Sequence, residues 1–154
     1  MNDENQSIVT TFFEEIQGRT AENEILRSAR VISINSSRGW DKQPPFSRKQ
    51  LTSPNLLCLW FDDICSEAEA RDGLMPFTSA HAEKIIRFFD GCETSLLIHC
   101  TAGISRSGAA GEVLNWYFNR YLESNPEDEN DFLQNNRQIV PNYFVRKILL
   151  GVCT

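Results

Sequence analysis

Short apolar runs alternate with amphipathic segments along most of the chain. The runs are rich in Leu and β-branched residues, and polar or turn-forming residues close most of them, which is typical of buried strands. The first run continues into FEEIQ, which fits a helix equally well. The predicted strands are IVTTFF at 8–13, RVISIN at 30–35, LLCLWF at 56–61 and SLLIH at 95–99.

Helical periodicity separates these runs. The clearest helix follows the third run, where Thr78 or Ser79 can cap its first turn and Gly91 can end it. Its apolar positions recur every three or four residues, at Ala82, Ile85, Ile86 and Phe89. Further helices are predicted over residues 20–29, from Ser107 onward, after Asn125-Pro126, and from Pro141 to Gly151.

Strands that alternate with helices are typical of α/β proteins with a mainly parallel sheet. The chain has 154 residues, which suits one domain with a sizeable core. The segment from Trp40 to Pro54 holds three prolines and is predicted to be a long surface loop. The sequence therefore predicts a single α/β domain over residues 1–154, whose central, mainly parallel sheet is flanked by helices.

Composition narrows the class of protein. Hydrophobic residues make up 41% and charged residues 23%, as in ordinary soluble domains. The polar start MNDENQS differs from a secretory signal, and no apolar run approaches the length of a membrane span. The net charge is −6, and the densest basic cluster is only Arg48-Lys49, whereas nucleic-acid binders carry a clustered basic face. We therefore expect a cytoplasmic protein with no nucleic-acid or membrane partner.

The cysteines indicate a reducing compartment. Their number is odd and no CxxC motif occurs, so a disulfide framework is not expected. With only His81 and His99 as further ligands, a zinc site is not expected. The five cysteines are Cys58, Cys65, Cys92, Cys100 and Cys153.

The segment HCTAGISRSG, at 99–108, directly follows the fourth predicted strand. Cys100 would thus lie at the carboxyl edge of the sheet, where ligands of open α/β sheets bind. The loop Thr101–Arg106 has a glycine and mostly small side chains, so its backbone N–H groups can converge on an oxyanion. Arg106 adds a planar fork for phosphate oxygens, and the same positive field favours a thiolate at Cys100. This arrangement indicates phosphoryl transfer.

HCTAGISRSG resembles the active-site loop of the cysteine-dependent protein tyrosine phosphatases, and AGISRS resembles their dual-specificity branch. RVISIN, LWFDDI, HAEKIIRFF and PNYFVRKILLG are similar to segments of small predicted bacterial tyrosine phosphatases. The resemblance covers roughly residues 30–151. It implies a Cys-x5-Arg phosphate loop between a strand and a helix. It also implies a metal-free phosphatase acting on phosphotyrosine in proteins or peptides, with dual specificity and oligomeric state left open.

The resemblance also implies a role for each loop residue. Cys100 would be the nucleophile and form a phosphocysteine intermediate, and Ser107 would hydrogen-bond its thiolate. His99 would order the loop through hydrogen bonds to the backbone. The residues expected to bind the phosphoryl group are Thr101, Ala102, Gly103, Ile104, Ser105 and Arg106.

A general acid must protonate the leaving oxygen. The family takes this aspartate from the loop after the preceding strand, which here is FDDIC. Asp63 shares the strand parity of Leu59 and Phe61, so it is the first choice, with Asp62 as second choice or support. The spacing to the nucleophile is longer than in the family and no Trp-Pro-Asp occurs. Asp72, which lies nearer to the nucleophile in sequence, therefore stays open.

Two other functions remain open at the level of sequence. One is a phosphatase for phosphoinositides, inositol phosphates or RNA 5′-phosphates, although relatives with such substrates tend to carry lysines in the loop, and this loop has none. The other is a module that binds phosphotyrosine without turnover. The presence of Cys100, Arg106 and Ser107 argues against that module.

Overall fold

Four parallel strands form the sheet of this computed structural model, which describes residues 8–20, 25–90, 92, 94–117 and 127–153. The strand order is β1-β4-β2-β3. β4 therefore lies inside the sheet, where Ile98 pairs with Thr10 on one side and Ile32 on the other. The strands are β1 (Ile8–Phe12), β2 (Ala29–Asn35), β3 (Leu56–Trp60) and β4 (Ser95–Cys100).

Helices follow or separate these strands, as the alternating pattern predicts. Within the described residues they are α1 (Phe13–Thr20), α2 (Ile25–Ser28), α3 (Ser79–Phe89), α4 (Arg106–Tyr117), α5 (Glu127–Asn135) and α6 (Tyr143–Cys153). Short 3-10 turns cover Trp40–Lys42, Gln50–Thr52 and Glu67–Asp72. In the ranges described, every helix is too short or too polar to cross a bilayer.

The element boundaries differ from the sequence prediction at a few points. The first strand ends at Phe12, because Phe13 N donates to Thr101 O at 3.2 Å and FEEIQ then continues as α1. Of the helix predicted over 20–29, residues 25–28 form α2 and 21–24 lie outside the described residues, as do Gly91 and Asn125-Pro126. α6 begins at Tyr143 because the Asn142 side chain caps it, accepting from Val145 N at 3.0 Å.

The start of α3 is a reciprocal cap. Thr78 Oγ1 accepts a hydrogen bond from His81 N, and His81 Nδ1 accepts one from Thr78 N at 3.0 Å. This pair satisfies two backbone donors that a helix start leaves free. The structure therefore confirms Thr78 rather than Ser79 as the cap.

Alternating side chains build a core on each face of the sheet. On one face, Ile32 and Ile98 pack among buried residues of α3, α4 and α6. On the other face, Val31 and Leu97 pack with Ile16 of α1. Each such burial contributes about 1.5–3 kcal/mol. Helices thus cover both faces, and the buried strand β4 brings its last residue to the carboxyl edge of the sheet.

Candidate active site

Cys100 is the last residue of β4, and α4 begins six residues later at Arg106. The Cys100 side chain is buried, with 2% of its surface exposed. Its Sγ lies 3.2 Å from Ser107 Oγ, within hydrogen-bonding distance for sulfur. The strand, loop and helix predicted around the motif are therefore the ones observed. Residues 101–105, between Cys100 and Arg106, are hereafter the phosphate loop.

The phosphate loop is held from outside by the segment 138–142. Three consecutive carbonyl groups of the loop accept hydrogen bonds from this segment. Because the C=O and the next N–H of a peptide point in opposite directions, these bonds turn the amides of residues 104–106 toward the interior of the loop. The pairs are Gln138 Nε2 to Gly103 O (3.3 Å), Val140 N to Ile104 O (2.9 Å) and Asn142 N to Ser105 O (3.0 Å).

Gly103 is required by the path of the loop. Its φ is +72°, a left-handed conformation that residues with a Cβ rarely adopt. A Cβ at this position would lie 2.6 Å from Thr11 O. The loop can therefore press against the end of β1 only with glycine here.

Arg106 is buried at the base of the loop, with 5% of its surface exposed. Nη1 donates to Phe61 O at 2.9 Å and to Ser36 Oγ at 3.1 Å, and Nη2 donates to Thr101 Oγ1 at 2.9 Å. Nε is buried without a hydrogen-bond partner, and among the described residues no other buried side-chain nitrogen or oxygen shares this condition. An unpartnered buried donor costs about 1–3 kcal/mol, and an oxyanion is one acceptor that would remove this cost.

His99 supports the loop from the sheet and stays neutral. Burial lowers its pKa to about 4, with the charge of Arg106 adding to the effect. Because the Cys100 carbonyl can only accept, Nδ1 donates to it at 3.1 Å, and Nε2 therefore accepts from Ser33 Oγ at 2.6 Å. His99 thus links β2 to the backbone of Cys100.

Asp62 is buried and anchors two loops. Its carboxylate accepts hydrogen bonds from Ser37 N at 3.0 Å and Met75 N at 2.7 Å, and also from Ser37 Oγ. Burial raises its pKa, but these hydrogen bonds more than offset that effect and leave the pKa below its usual value. A carboxylate that accepts three hydrogen bonds from its own fold suits structural support better than the role of general acid, for which Asp62 is the second choice.

Asp63 lies beside the phosphate loop. Its Oδ1 accepts hydrogen bonds from Ser105 Oγ and from Asn142 Nδ2, both at 2.8 Å. Asp72 instead lies at the end of an exposed 3-10 turn, and its backbone carbonyl accepts from Arg38 at 3.5 Å. In the part of the chain that the structure describes, Asp63 is the one of these three aspartates that is hydrogen-bonded to a phosphate-loop residue.

Asp41 is one of two site residues that sequence reasoning missed. It comes from the segment predicted to be a surface loop, and its carboxylate accepts hydrogen bonds from Ser36 Oγ at 2.7 Å and from Thr101 Oγ1. No motif marks it, because its partners lie 5 and 60 residues away. Asn142 was missed as well, although it belongs to the quoted segment PNYFVRKILLG.

The site offers anion-binding groups rather than metal ligands. Its donors are the inward amides, the guanidinium of Arg106 and the hydroxyl of Ser107. Over the described residues, no three His, Cys, Asp or Glu side chains come together in a way that could hold a metal ion.

Solved structures provide the comparison with known proteins, since no family model and no curated protein matches the sequence. The human tyrosine phosphatase-like serine/threonine/tyrosine-interacting protein matches with a TM-score of 0.62 at 18% identity, over 94% of this chain and 89% of that chain. PTPMT1 in complex with PI(5)P matches with a TM-score of 0.58 at 13% identity, over 96% and 90%. The PTP-2 phosphatase of Cydia pomonella matches with a TM-score of 0.58 at 18% identity, over 96% and 86%.

At identities of 13–18%, the similarity to these solved structures shows the fold alone. The resemblance of the sequence to small bacterial tyrosine phosphatases stays a prediction. The matched structures cover 94–96% of this chain. The chain therefore has the fold of the tyrosine and dual-specificity phosphatases.

Proposed function

We propose that this protein hydrolyses phosphotyrosine in proteins or peptides through a phosphocysteine intermediate. The observation that carries the proposal is the pair of buried residues that flank the phosphate loop, Cys100 before it and Arg106 after it, with the Nε of Arg106 left without a partner. A guanidinium donor and inward amides bind a phosphoryl group and stabilise the charge of its transition state. In this proposal the thiolate of Cys100 is the group that attacks the phosphorus.

In the first step, the Cys100 thiolate attacks phosphorus while the bond to the leaving oxygen breaks. Asp63 gives that oxygen its proton, so that the alcohol departs neutral. Oδ1 of Asp63 is occupied by Ser105 and Asn142, whereas Oδ2 has no hydrogen bond within the described residues. Oδ2 is therefore the oxygen that would carry the proton.

In the second step, water attacks the phosphocysteine. The Asp63 carboxylate takes a proton from this water, the new P–O bond forms and the S–P bond breaks. The hydroxyl of Ser107 stands 3.2 Å from Cys100 Sγ and donates to the departing thiolate. The thiolate and the protonated Asp63 are thereby restored for the next cycle.

A phosphoinositide is the alternative substrate with a specific observation behind it, because PTPMT1 has been crystallised with PI(5)P. Such headgroups carry several negative charges, and the phosphate loop provides one cation, Arg106, with neutral side chains at Thr101, Ala102, Ile104 and Ser105. A single phosphate ester suits this loop better. Phosphotyrosine therefore ranks above phosphoinositides and RNA 5′-phosphates.

The test is turnover of p-nitrophenyl phosphate with EDTA present, followed by phosphotyrosine peptides, phosphoinositides and 5′-triphosphate RNA at equal concentration. Activity should survive the chelator, and vanadate, a mimic of pentacoordinate phosphorus, should inhibit it. Cys100→Ser should abolish turnover and keep substrate binding, while the matched Cys153→Ser should retain activity. Turnover by Cys100→Ser, or loss of wild-type activity with EDTA, would contradict the mechanism.

A further inference from the structure

We infer that Asp41 is a positioning residue that fixes the guanidinium of Arg106 through two hydroxyl groups. The inference rests on the proposed function, because it concerns how the same site holds a phosphoryl group. It assigns a catalytic purpose to a segment that sequence analysis predicts to be a surface loop.

The directions of the hydrogen bonds are fixed by chemistry. A guanidinium can only donate and an ionised carboxylate can only accept. Ser36 Oγ and Thr101 Oγ1 each accept from Arg106, at 3.1 Å and 2.9 Å, and each donates its single proton to Asp41. Two parallel paths thus run from Arg106 to the carboxylate, each through one hydroxyl.

The separation by a hydroxyl has a functional advantage. A carboxylate in direct contact with Arg106 would occupy the donors that a phosphoryl dianion needs. With hydroxyls in between, Asp41 orients Nη1 and Nη2 and partly balances the buried cation, while Nε stays unpartnered. A hydroxyl whose proton is committed to a carboxylate is also a better acceptor toward the guanidinium.

The segment around Asp41 is itself held in place. Ser36 N donates to Asp41 O at 3.2 Å, which closes a short loop from residue 36 to 41. The Trp40 ring packs edge-on against Phe13 at 5.1 Å, and Trp60 Nε1 donates to Lys42 O at 2.8 Å. The aspartate is therefore presented to the site by an anchored turn.

The charge state of Asp41 agrees with this role. Burial raises its pKa, but hydrogen bonds from Thr101 and Ser36, with the charge of Arg106, more than offset it, so the pKa lies below its usual value. Asp41 is ionised at neutral pH and accepts from both hydroxyls. A permanently ionised carboxylate suits positioning better than proton donation.

The experiment compares Asp41→Asn with wild type and with Asp131→Asn, an equal change at an exposed position on α5. Both hydroxyls donate to Oδ2, so an amide oxygen can still accept from them, but without the negative charge. Because two charge-assisted hydrogen bonds become neutral ones, Asp41→Asn should weaken vanadate binding, measured by direct titration, by about 10- to 100-fold. It should lower kcat/KM for p-nitrophenyl phosphate and phosphotyrosine by the same factor. Asp131→Asn should leave both measurements unchanged.

A double-mutant cycle separates positioning from folding. In the Ser36→Ala/Thr101→Val background the two paths are already broken, so Asp41→Asn should cost little more there. If the losses added, or if Asp41→Asn kept wild-type vanadate affinity, the inference would be overturned. A larger loss on phosphotyrosine than on p-nitrophenyl phosphate would also overturn it, because that pattern marks a general acid. Should Asp41→Asn not fold, Thr101→Val alone must still weaken vanadate binding.

The proposed function can fail separately. Wild-type turnover tests it directly, whereas the ratio of vanadate affinities between Asp41→Asn and wild type tests the positioning role. If wild type binds vanadate but shows no turnover, the proposed phosphatase activity is wrong. The ratio of vanadate affinities between Asp41→Asn and wild type then still decides the role of Asp41. A wild type that binds no vanadate would overturn both.

Discussion

At the scale of single residues, the site is defined by which hydrogen-bonding groups already have a partner within the protein and which do not. The hydroxyls of Ser36 and Thr101 donate to Asp41. Oδ1 of Asp63 accepts from Ser105 and Asn142. Nε of Arg106 remains unpartnered. In the proposed mechanism, a phosphoryl oxygen would accept from Nε of Arg106, and the leaving oxygen would receive a proton from Asp63.

The general acid can be identified by its dependence on the leaving group. Protonation matters most for a poor leaving group such as the phenolate of tyrosine, and little for activated p-nitrophenolate. We expect Asp63→Asn to lower kcat by at least about 100-fold on phosphotyrosine but far less on p-nitrophenyl phosphate. Steady-state kinetics on both substrates give the comparison. Asp72→Asn, at an exposed turn, is the matched control, and the opposite outcome would move the acid to the loop containing Asp72.

His99 should make the stability of the fold depend on pH. Its folded-state pKa of about 4 lies below the ordinary 6.5, so its contribution is complete above pH 6.5 and is lost as the pH falls toward 4. By proton linkage, this shift in pKa lowers the free energy of unfolding by about 2–3 kcal/mol between pH 7 and pH 4.5. Urea unfolding of wild type and His99→Asn at both pH values isolates the contribution of His99 to this pH dependence, because the other titrating groups are common to both proteins. Equal pH dependence in the two proteins would contradict it.

Sequence reasoning reached the residues that stand together in one motif and missed those brought together by the fold. Cys100, Arg106 and Ser107 lie within eight positions, and local chemistry is enough to relate them. Asp41 meets Thr101 across 60 residues, and Asn142 meets Asp63 across 79. Neither contact produces a periodicity or a spacing that can be recognised in the sequence, because the residues come together only in the folded chain.

At the scale of elements, the phosphate loop depends on its neighbours for its shape. Segment 138–142 holds three loop carbonyls, and Phe13 N at the start of α1 holds the carbonyl of Thr101. The loop is therefore clamped between β1 and the chain that leads into α6. Such clamping prepares the amides for an anion before it arrives, which lowers the cost of binding.

Gly103→Ala should show how far the loop depends on this close packing. The new Cβ would meet Thr11 O at 2.6 Å in a left-handed backbone, so we expect a loss of about 1–3 kcal/mol in unfolding free energy. Turnover should fall by about 100-fold because the amides are displaced. Gly151→Ala, with open space around its position in α6, should be neutral or slightly stabilising. Thermal unfolding and p-nitrophenyl phosphate kinetics measure both variants, and normal turnover by Gly103→Ala would refute the argument.

The elements and the parallel sheet flanked by helices are predictable from the sequence, but the order of the strands is not. Apolar runs located all four observed strands, because apolar side chains from both faces of the sheet pack into the core. The order β1-β4-β2-β3 has no such signal, since any strand can follow any other across a helical crossover. The boundary at Phe12 was missed because it is set by a hydrogen bond to the distant Thr101.

At the scale of the whole molecule, charge favours some substrates over others before they reach the loop. The chain carries 21 acidic and 15 basic residues, a net charge of −6. A negative protein repels polyanions at long range and attracts substrates with basic surroundings, and salt screens both effects. Selectivity should therefore depend on ionic strength as well as on the fit of the phosphate group.

Two phosphotyrosine peptides that differ only in their flanks, one with lysines and one with glutamates, measure this effect. We expect kcat/KM to favour the basic peptide by about tenfold at low salt, and the ratio to approach one as ionic strength passes about 0.3 M, where the screening length is only about 5–6 Å. Both peptides present the same phosphate to the loop, so competition by the salt anion cancels in the ratio. A ratio that favours the acidic peptide would instead place a basic surface around the mouth of the site. That outcome would move the phosphoinositide alternative ahead of phosphotyrosine.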